Sequence, residues 1–291
     1  MEEIRSYRRR GTPDFPVSVY WGTASVNMRH HPNAEYHPEP EIALVNEGNV
    51  TMQIGGISKT FYSGDIIIIP PNTVHRRSQF SEDAVVRTIV FSLEAIRLPP
   101  EHFFQKEFVQ PLADGRLTMP MLLQPGHPAH ESIFNQMQQI VYSPTYERDF
   151  KQKRFYTLMG ICLALMPHCS IASDRSPLQD TGNETVRLCM RYIHNNYQKQ
   201  LKLNTLAALC HLHPTHLCAV FKRYTGETLF EYLNRFRVEM AEALLRREDL
   251  PVSKIAELAG FRSECQFYQK FKEHTGTTPK AYAKKAKGTN D

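Results

Sequence analysis

Leu203-Asn204-Thr205-Leu206-Ala207, then Leu217, Phe221-Lys222 and Thr225-Gly226-Glu227-Thr228, is answered further on by Val252-Ser253-Lys254-Ile255-Ala256, then Phe267, Phe271-Lys272 and Thr275-Gly276-Thr277-Thr278. The offset is 49 residues before a turn (Ala207 to Ala256) and 50 after it (Phe221 to Phe271). Helices fix their own spacing and a turn does not, so a one-residue slip confined to the turn marks two copies of a helix-turn-helix. Asn204 and Ser253 are N-cap types at the start of each first helix. Gly260 suits the second turn, and Cys210 and His211 fill that place in the first. Leu217, Val220 and Phe221, with Phe267 and Phe271, give the second helices their apolar stripes. Gly226 and Gly276 stand where a C-cap glycine stops a helix. His213 is an imperfect N-cap before Pro214, which suits the first helical position.

Between the copies, residues 229–247 read as one long helix with Leu233, Phe236, Met240 and Leu244 on one face. Such a helix holds the units at a fixed separation. At about one turn of DNA, roughly 34 Å, both second helices reach successive major grooves. Ahead of the first copy, Val186, Cys189, Met190, Ile193 and Tyr197 form the apolar face of an opening helix.

Charge follows the same division. Residues 184–291 carry 18 Lys/Arg against 11 Asp/Glu, whereas residues 1–183 carry 17 against 19. Phosphate contact is therefore expected of the C-terminal part alone. The chain of 291 residues suits two domains. We divide it into an N-terminal domain (1–168), a turn-rich linker (169–183) and a basic C-terminal domain (184–291). No apolar run is long enough to span a membrane, and Met1-Glu-Glu-Ile-Arg lacks a signal-peptide core, so a soluble, cytoplasmic protein is expected. The six cysteines are scattered, without a CxxC, and read as reduced thiols.

Three segments, Ala256-Glu-Leu-Ala-Gly-Phe261, Phe267-Tyr-Gln-Lys-Phe271-Lys and Thr275-Gly-Thr-Thr-Pro279-Lys-Ala-Tyr282, resemble in order the signature of AraC/XylS-type transcriptional regulators. The resemblance runs from near Glu184 to the end of the sequence. It implies an all-α domain with two helix-turn-helix units. Base readout then falls to the exposed early face of each second helix. In the first copy these are Thr215, His216, Cys218 and Ala219; in the second, Glu264, Cys265, Tyr268 and Gln269. Gln269 suits adenine and Glu264 suits cytosine. Lys222, Arg223, Arg262, Lys270 and Lys272 are placed as phosphate clamps, with a solvated-surface role as the alternative for each lysine.

From Val17 to Phe91 the pattern is β, with candidate strands at 17–21, 41–46, 50–54, 58–61, 65–69 and 85–91 and a Gly55-Gly56 hairpin turn. The order His37-Pro-Glu-Pro-Glu41, Glu47-Gly48, Gly64-Asp65, Pro70, His75 resembles the cupin barrel of the same regulators. This implies a cupin-like β-barrel or jelly roll, making the whole a two-domain α+β chain. In metal-binding cupins the matching positions are ligands; here they are Glu35, His37, Glu41 and His75, with one histidine replaced by a carboxylate. Two readings stand: a divalent-metal site, or polar groups lining a ligand pocket. The second is preferred, because the resembled regulators mostly sense organic ligands without metal, so no cofactor is expected. Trp21 either stacks on a flat ligand or packs the barrel. Arg29 is a further effector-binding candidate. Two amphipathic helices follow, near 131–142 and 148–166. They close the barrel core, form a homodimer interface, or both.

The resemblance implies a regulator, not an enzyme, and further roles follow from it as expectations: promoter DNA, RNA polymerase and a small effector, a sugar by family habit, as partners, with activation as the outcome. The rivals are a metal-dependent cupin enzyme with a DNA-binding tail, and a constitutive DNA-binding dimer.

Overall fold

The computed structural model describes residues 11–12, 14–23, 33–142, 149–171 and 181–287. The chain divides into two compact units, Met1–Asn183 and Glu184–Asp291.

The first unit is built on two antiparallel sheets. One has the order β1 (Val17–Thr23), β7 (Val85–Phe91), β2 (Glu41–Glu47), β5 (Ile66–Ile69), β9 (Leu122–Leu123). The other has β4 (Ile57–Tyr62), β3 (Asn49–Ile54), β6 (His75–Phe80). The four isoleucines of β5 are all buried, and the pleat sends them alternately to two cores. Ile67 and Ile69 join Ala43, Val45, Val50, Met52, Ile54, Phe61 and Val86 in a core that draws on both sheets. Ile66 and Ile68 join Ile42, Leu44, Ile89 and Phe91 on the opposite face. That second core is covered by α1 (His130–Tyr142) and α2 (Phe150–Leu165), which contribute Ile133, Met137, Ile140, Leu158, Ile161, Cys162 and Leu165. Each fully buried side chain of this kind is worth about 1.5–3 kcal/mol. The pair of helices therefore closes the sheet's own core, one of the two roles expected of it.

Strand β6 was not among the expected strands. Its His75-Arg76-Arg77-Ser78-Gln79 run lacks apolar alternation, and the polar side chains are used instead: Arg76 Nε donates to Gln53 Oε1 at 2.9 Å and Arg77 Nη2 to Glu41 Oε1 at 2.8 Å. The expected linker also differs at both ends. Ser170 and Ile171 form β10, paired with β8 (Leu117–Thr118), and residues 181–183 begin α3 (Thr181–Asn196). Residues 172–180 lie outside the described part.

In the second unit α3 is followed by α4 (Leu203–Leu209), α5 (Pro214–Thr225), α6 (Leu229–Arg247), α7 (Val252–Leu258), α8 (Glu264–Thr275) and α9 (Pro279–Lys287). Both helix-turn-helix copies are present, α4–α5 and α7–α8, with α6 between them. Thr228 and Glu231 close α6 with a reciprocal capping box. One side of α6 meets the first copy and the opening helix: Tyr232 is edge-on to Phe221 of α5 at 5.5 Å, and Phe236 stacks on His194 of α3 at 4.2 Å. Another side carries Val238, Ala241 and Leu245 into a cluster with Ile255, Ala256, Phe261, Phe267 and Phe271 of the second copy.

The copies repeat in detail. Gly226 and Gly276 end α5 and α8 in the left-handed region at φ 75° and 74°. Just before them, the Thr225 hydroxyl lies 2.8 Å from Phe221 O and 3.0 Å from Glu227 O; that of Thr275 lies 2.8 Å from Phe271 O and 3.1 Å from Thr277 O. Two expectations fail here. Asn204 and Ser253 sit inside the first turns of α4 and α7, and the N-cap positions are Lys202 and Pro251, without a side-chain cap. An early polar residue is tolerated in a first turn, whose backbone N–H groups are free in any case.

The turns differ between copies. Gly260 takes φ 86°, and His211 takes φ 54° in the corresponding place. A non-glycine residue there is strained by about 1–2 kcal/mol. We expect His211→Gly to stabilise this unit by about 0.5–1 kcal/mol, after the added chain entropy of glycine is subtracted. Chemical denaturation of the full chain measures it, and a loss of stability would show that the His211 side chain holds the turn.

Candidate functional site

The exposed faces of α5 and α8 form the first site. The early turn of α5 is held by His213, whose Nδ1 accepts from Thr215 N at 3.4 Å, with Pro214 at the first helical position. Leu217, Phe221 and Tyr224 are buried, which leaves Thr215, His216, Cys218 and Ala219 exposed together with Lys222 and Arg223. His213, Thr215, His216, Ala219, Val220 and Arg223 line an open hollow of about 500 Å³ on this face. On α8, capped by Ser263, Phe267 and Phe271 are buried and Glu264, Cys265 and Gln269 are exposed. Arg262 and Lys272 are exposed beside them.

Two residues are less free than expected. Tyr268 is half-buried, with its ring against Phe267 at 6.0 Å. Lys270 donates to Glu273 at 2.8 Å, and Gln269 donates to the same carboxylate at 2.8 Å. Glu273 therefore competes with nucleic acid for one donor of each. One exposed residue was overlooked: Gln266, which the 50-residue offset places opposite His216. The repeat itself carried that signal.

The second site lies in the first unit. Glu41 shares the pleat parity of Ala43 and Val45 and so faces the core between strands of the two sheets. His75 opens β6, opposite Ile54, and its backbone exchanges two 2.9 Å hydrogen bonds with Glu35. His37 is fixed by Asn72, which donates to its carbonyl at 2.7 Å from a left-handed backbone (φ 60°). The result brings His37, Glu41 and His75 together, all buried. Glu41 Oε2 stands 3.5 Å from His37 Nε2 and 3.6 Å from His75 Nε2. Glu35 Oε1 is 4.0 Å from His75 Nε2. Burial works against the Glu41 carboxylate, but His37, His75 and Arg77 outweigh it and hold its pKa well below the usual carboxylate range. Burial likewise works against a charged His75, and Glu41 and Glu35 outweigh it, raising the His75 pKa.

Thus four of the six effector-binding candidates converge. Trp21 lies on β1, paired with Arg87, and its side chain is not described; Arg29 falls outside the described residues. Arg77, which completes the cluster through Glu41, was missed because it lies on the unexpected strand.

Residues 206–285 match a family model described as a helix-turn-helix domain. The chain is 32% identical over 119 residues to the bifunctional transcriptional activator/DNA repair enzyme AdaA of Bacillus subtilis. That match covers 41% of this chain and spans about half, 54%, of AdaA. It is 23% identical over 264 residues to the melibiose operon regulatory protein of Escherichia coli, covering 87% of this chain and 84% of that one. Among solved structures it is similar to ToxT from Vibrio cholerae, at 15% identity and a TM-score of 0.45, covering 95% and 96% of the two chains. The α4–α9 region is thus the DNA-binding part of a helix-turn-helix transcriptional regulator. Within the matched residues lie the three segments that resemble AraC-type regulators.

Proposed function

We propose that this protein is an effector-controlled transcriptional activator. Its second unit grips promoter DNA with two helix-turn-helix copies, and its first unit binds the controlling small molecule. The observation that supports this most is the duplication: α5 and α8 bury matching apolar stripes and turn polar, exposed faces outward. In this reading the unit up to Asn183 senses and pairs, and the basic unit from Glu184 holds DNA. A sugar is our candidate effector, supported by similarity to a melibiose operon regulator over most of the chain. Activation through RNA polymerase, a homodimer joined through the helices after the barrel, and residence in the cytoplasm belong to the same reading. Tyr156, 74% exposed, and Leu163, 44% exposed, lie seven residues apart on α2 and give that helix an apolar outer edge. No helix among the described residues is long and apolar enough to cross a membrane.

In this reading the effector acts by binding one arrangement of the protein better than another; tight binding alone shifts nothing. The test is a binding titration of full-length protein on DNA from upstream of its own gene, with a panel of sugars and other metabolites. A change in DNA affinity with one compound supports it. Unchanged affinity across a panel that includes a compound bound by the first unit contradicts it.

The second copy should carry more of the hydrogen-bonded specificity. Gln269→Ala is expected to relax preference at one base pair by about 1–3 kcal/mol. Binding selection on randomised duplexes reads this out, and an unaltered preferred sequence would count against the assignment.

A further inference from the structure

We propose that His37, Glu41 and His75 form a binding site for a first-row divalent transition metal. Three features of the cluster suit a bound metal.

The first is the state of the imidazoles. His37 Nδ1 lies 2.8 Å from Glu39 O and His75 Nδ1 lies 2.9 Å from Thr73 O. A carbonyl only accepts, so each Nδ1 carries a hydrogen and donates it. Each Nε2 is then left to face the interior. Both Nε2 atoms are buried without a hydrogen-bond partner. A buried polar atom without a partner ordinarily costs about 1–3 kcal/mol, and here there are two in one place, aimed at the same carboxylate oxygen.

The second feature is distance. The separations of 3.5 Å and 3.6 Å from Glu41 Oε2 are long for a hydrogen bond. They suit donors around a shared centre: two ligands held at about 2.1 Å, at a tetrahedral angle, are roughly 3.4 Å apart. The candidate donor atoms of the three residues all lie within 4.8 Å of one another. The rings meet edge to face at 5.0 Å, so neither blocks the other's nitrogen.

The third feature is the support around the donors. Arg77 Nη2 donates to Glu41 Oε1 at 2.8 Å and to Thr88 Oγ1 at 3.1 Å. This occupies one carboxylate oxygen and presents the other to the imidazoles. Backbone carbonyls behind both histidines and a guanidinium behind the carboxylate are the kind of outer partners that fix metal ligands. Two imidazoles and one carboxylate favour zinc, iron, nickel or manganese over magnesium or calcium. Glu35 stands near enough to supply a further oxygen after a small shift, and remaining positions stay open to water or a small ligand.

The experiment uses full-length protein stripped of metal with a chelator. Titration with Co²⁺ should give visible absorption bands of nitrogen–oxygen coordination at one ion per chain, displaced by Zn²⁺ and not by Mg²⁺. His37→Ala and His75→Ala should each weaken Zn²⁺ binding at least 100-fold, and Glu35→Gln by about tenfold. Circular dichroism establishes that the variants are folded; the Co²⁺ spectrum of the unaltered protein decides the matter should they not be. Absence of Co²⁺ bands, or Zn²⁺ binding that survives in both folded histidine variants, would overturn the proposal. Neither result depends on DNA binding, so its failure leaves the regulator reading standing, and failure of that reading leaves the metal site testable.

Discussion

Arg235→Ala should lower the stability of the DNA-binding unit by about 3 kcal/mol, because it strips the partner from two half-buried carboxylates. Arg235 lies on α6 and is itself only 10% exposed. Its Nη2 donates to Glu227 at 2.7 Å, just beyond the end of α5, and its Nη1 donates to Glu239 at 2.8 Å, one turn further along α6. The guanidinium also lies over the Tyr232 ring at 4.6 Å. Burial works against its charge, and Glu239 and Glu227 outweigh that, raising its pKa. The charge is therefore retained at every accessible pH. Through Glu227, this fork ties the first copy to the connecting helix. For a unit of this size the loss corresponds to roughly 10–20 °C in melting temperature. Calorimetry of the full chain reads it as a shift of one transition. Arg235→Lys should recover less than half, since a lysine cannot bond both carboxylates in the same planar fork. A shift below about 1 kcal/mol would reduce this network to a surface ornament.

The second large effect is expected at Gly260→Ala. Its φ of 86° is costly for any side chain, and a Cβ there would sit 2.6 Å from Tyr197 O and 2.8 Å from Gln198 Cα. It would also press to 3.0 Å on Arg237 Nε, which donates to Tyr197 O at 2.8 Å. Backbone cannot give way as a flexible side chain does, so we expect a loss of about 3 kcal/mol. Gly276→Ala is the control. Its φ is similar, 74°, but nothing lies within 4 Å of the new Cβ, so only the conformational cost of about 1 kcal/mol remains. Equal losses at the two sites, measured by denaturant unfolding, would remove close packing as the reason for a glycine at 260.

The same contrasts show what was legible in the residues. The duplicated units and the long helix between them could be read because apolar periodicity survives in both copies and along residues 229–247. The β5 run could be read as a buried strand because four isoleucines leave no polar face, although only the structure shows them divided between two cores. Strand β6 could not be read, since its arginines bond to partners on β3 and β2 that lie 23 and 36 residues away. The His37–Glu41 spacing was visible. The convergence of His75 on it depended on the register of β6 and on the left-handed Asn72, neither of which has a local sequence pattern. The two Nε2 atoms left without a hydrogen-bond partner are likewise visible only in the structure.

The central claim is that α5 and α8 hold DNA through charge as well as base contact. Fluorescence anisotropy on a labelled duplex from the promoter region, repeated at 50 and 200 mM salt, tests it most directly. With Lys222, Arg223, Arg262, Lys270 and Lys272 each neutralising one phosphate, affinity should fall roughly 500-fold across that range. Removing Arg223 and Arg262 together should reduce the slope by about two. Binding that ignores salt, or no binding at either concentration with effector panels present, would contradict it.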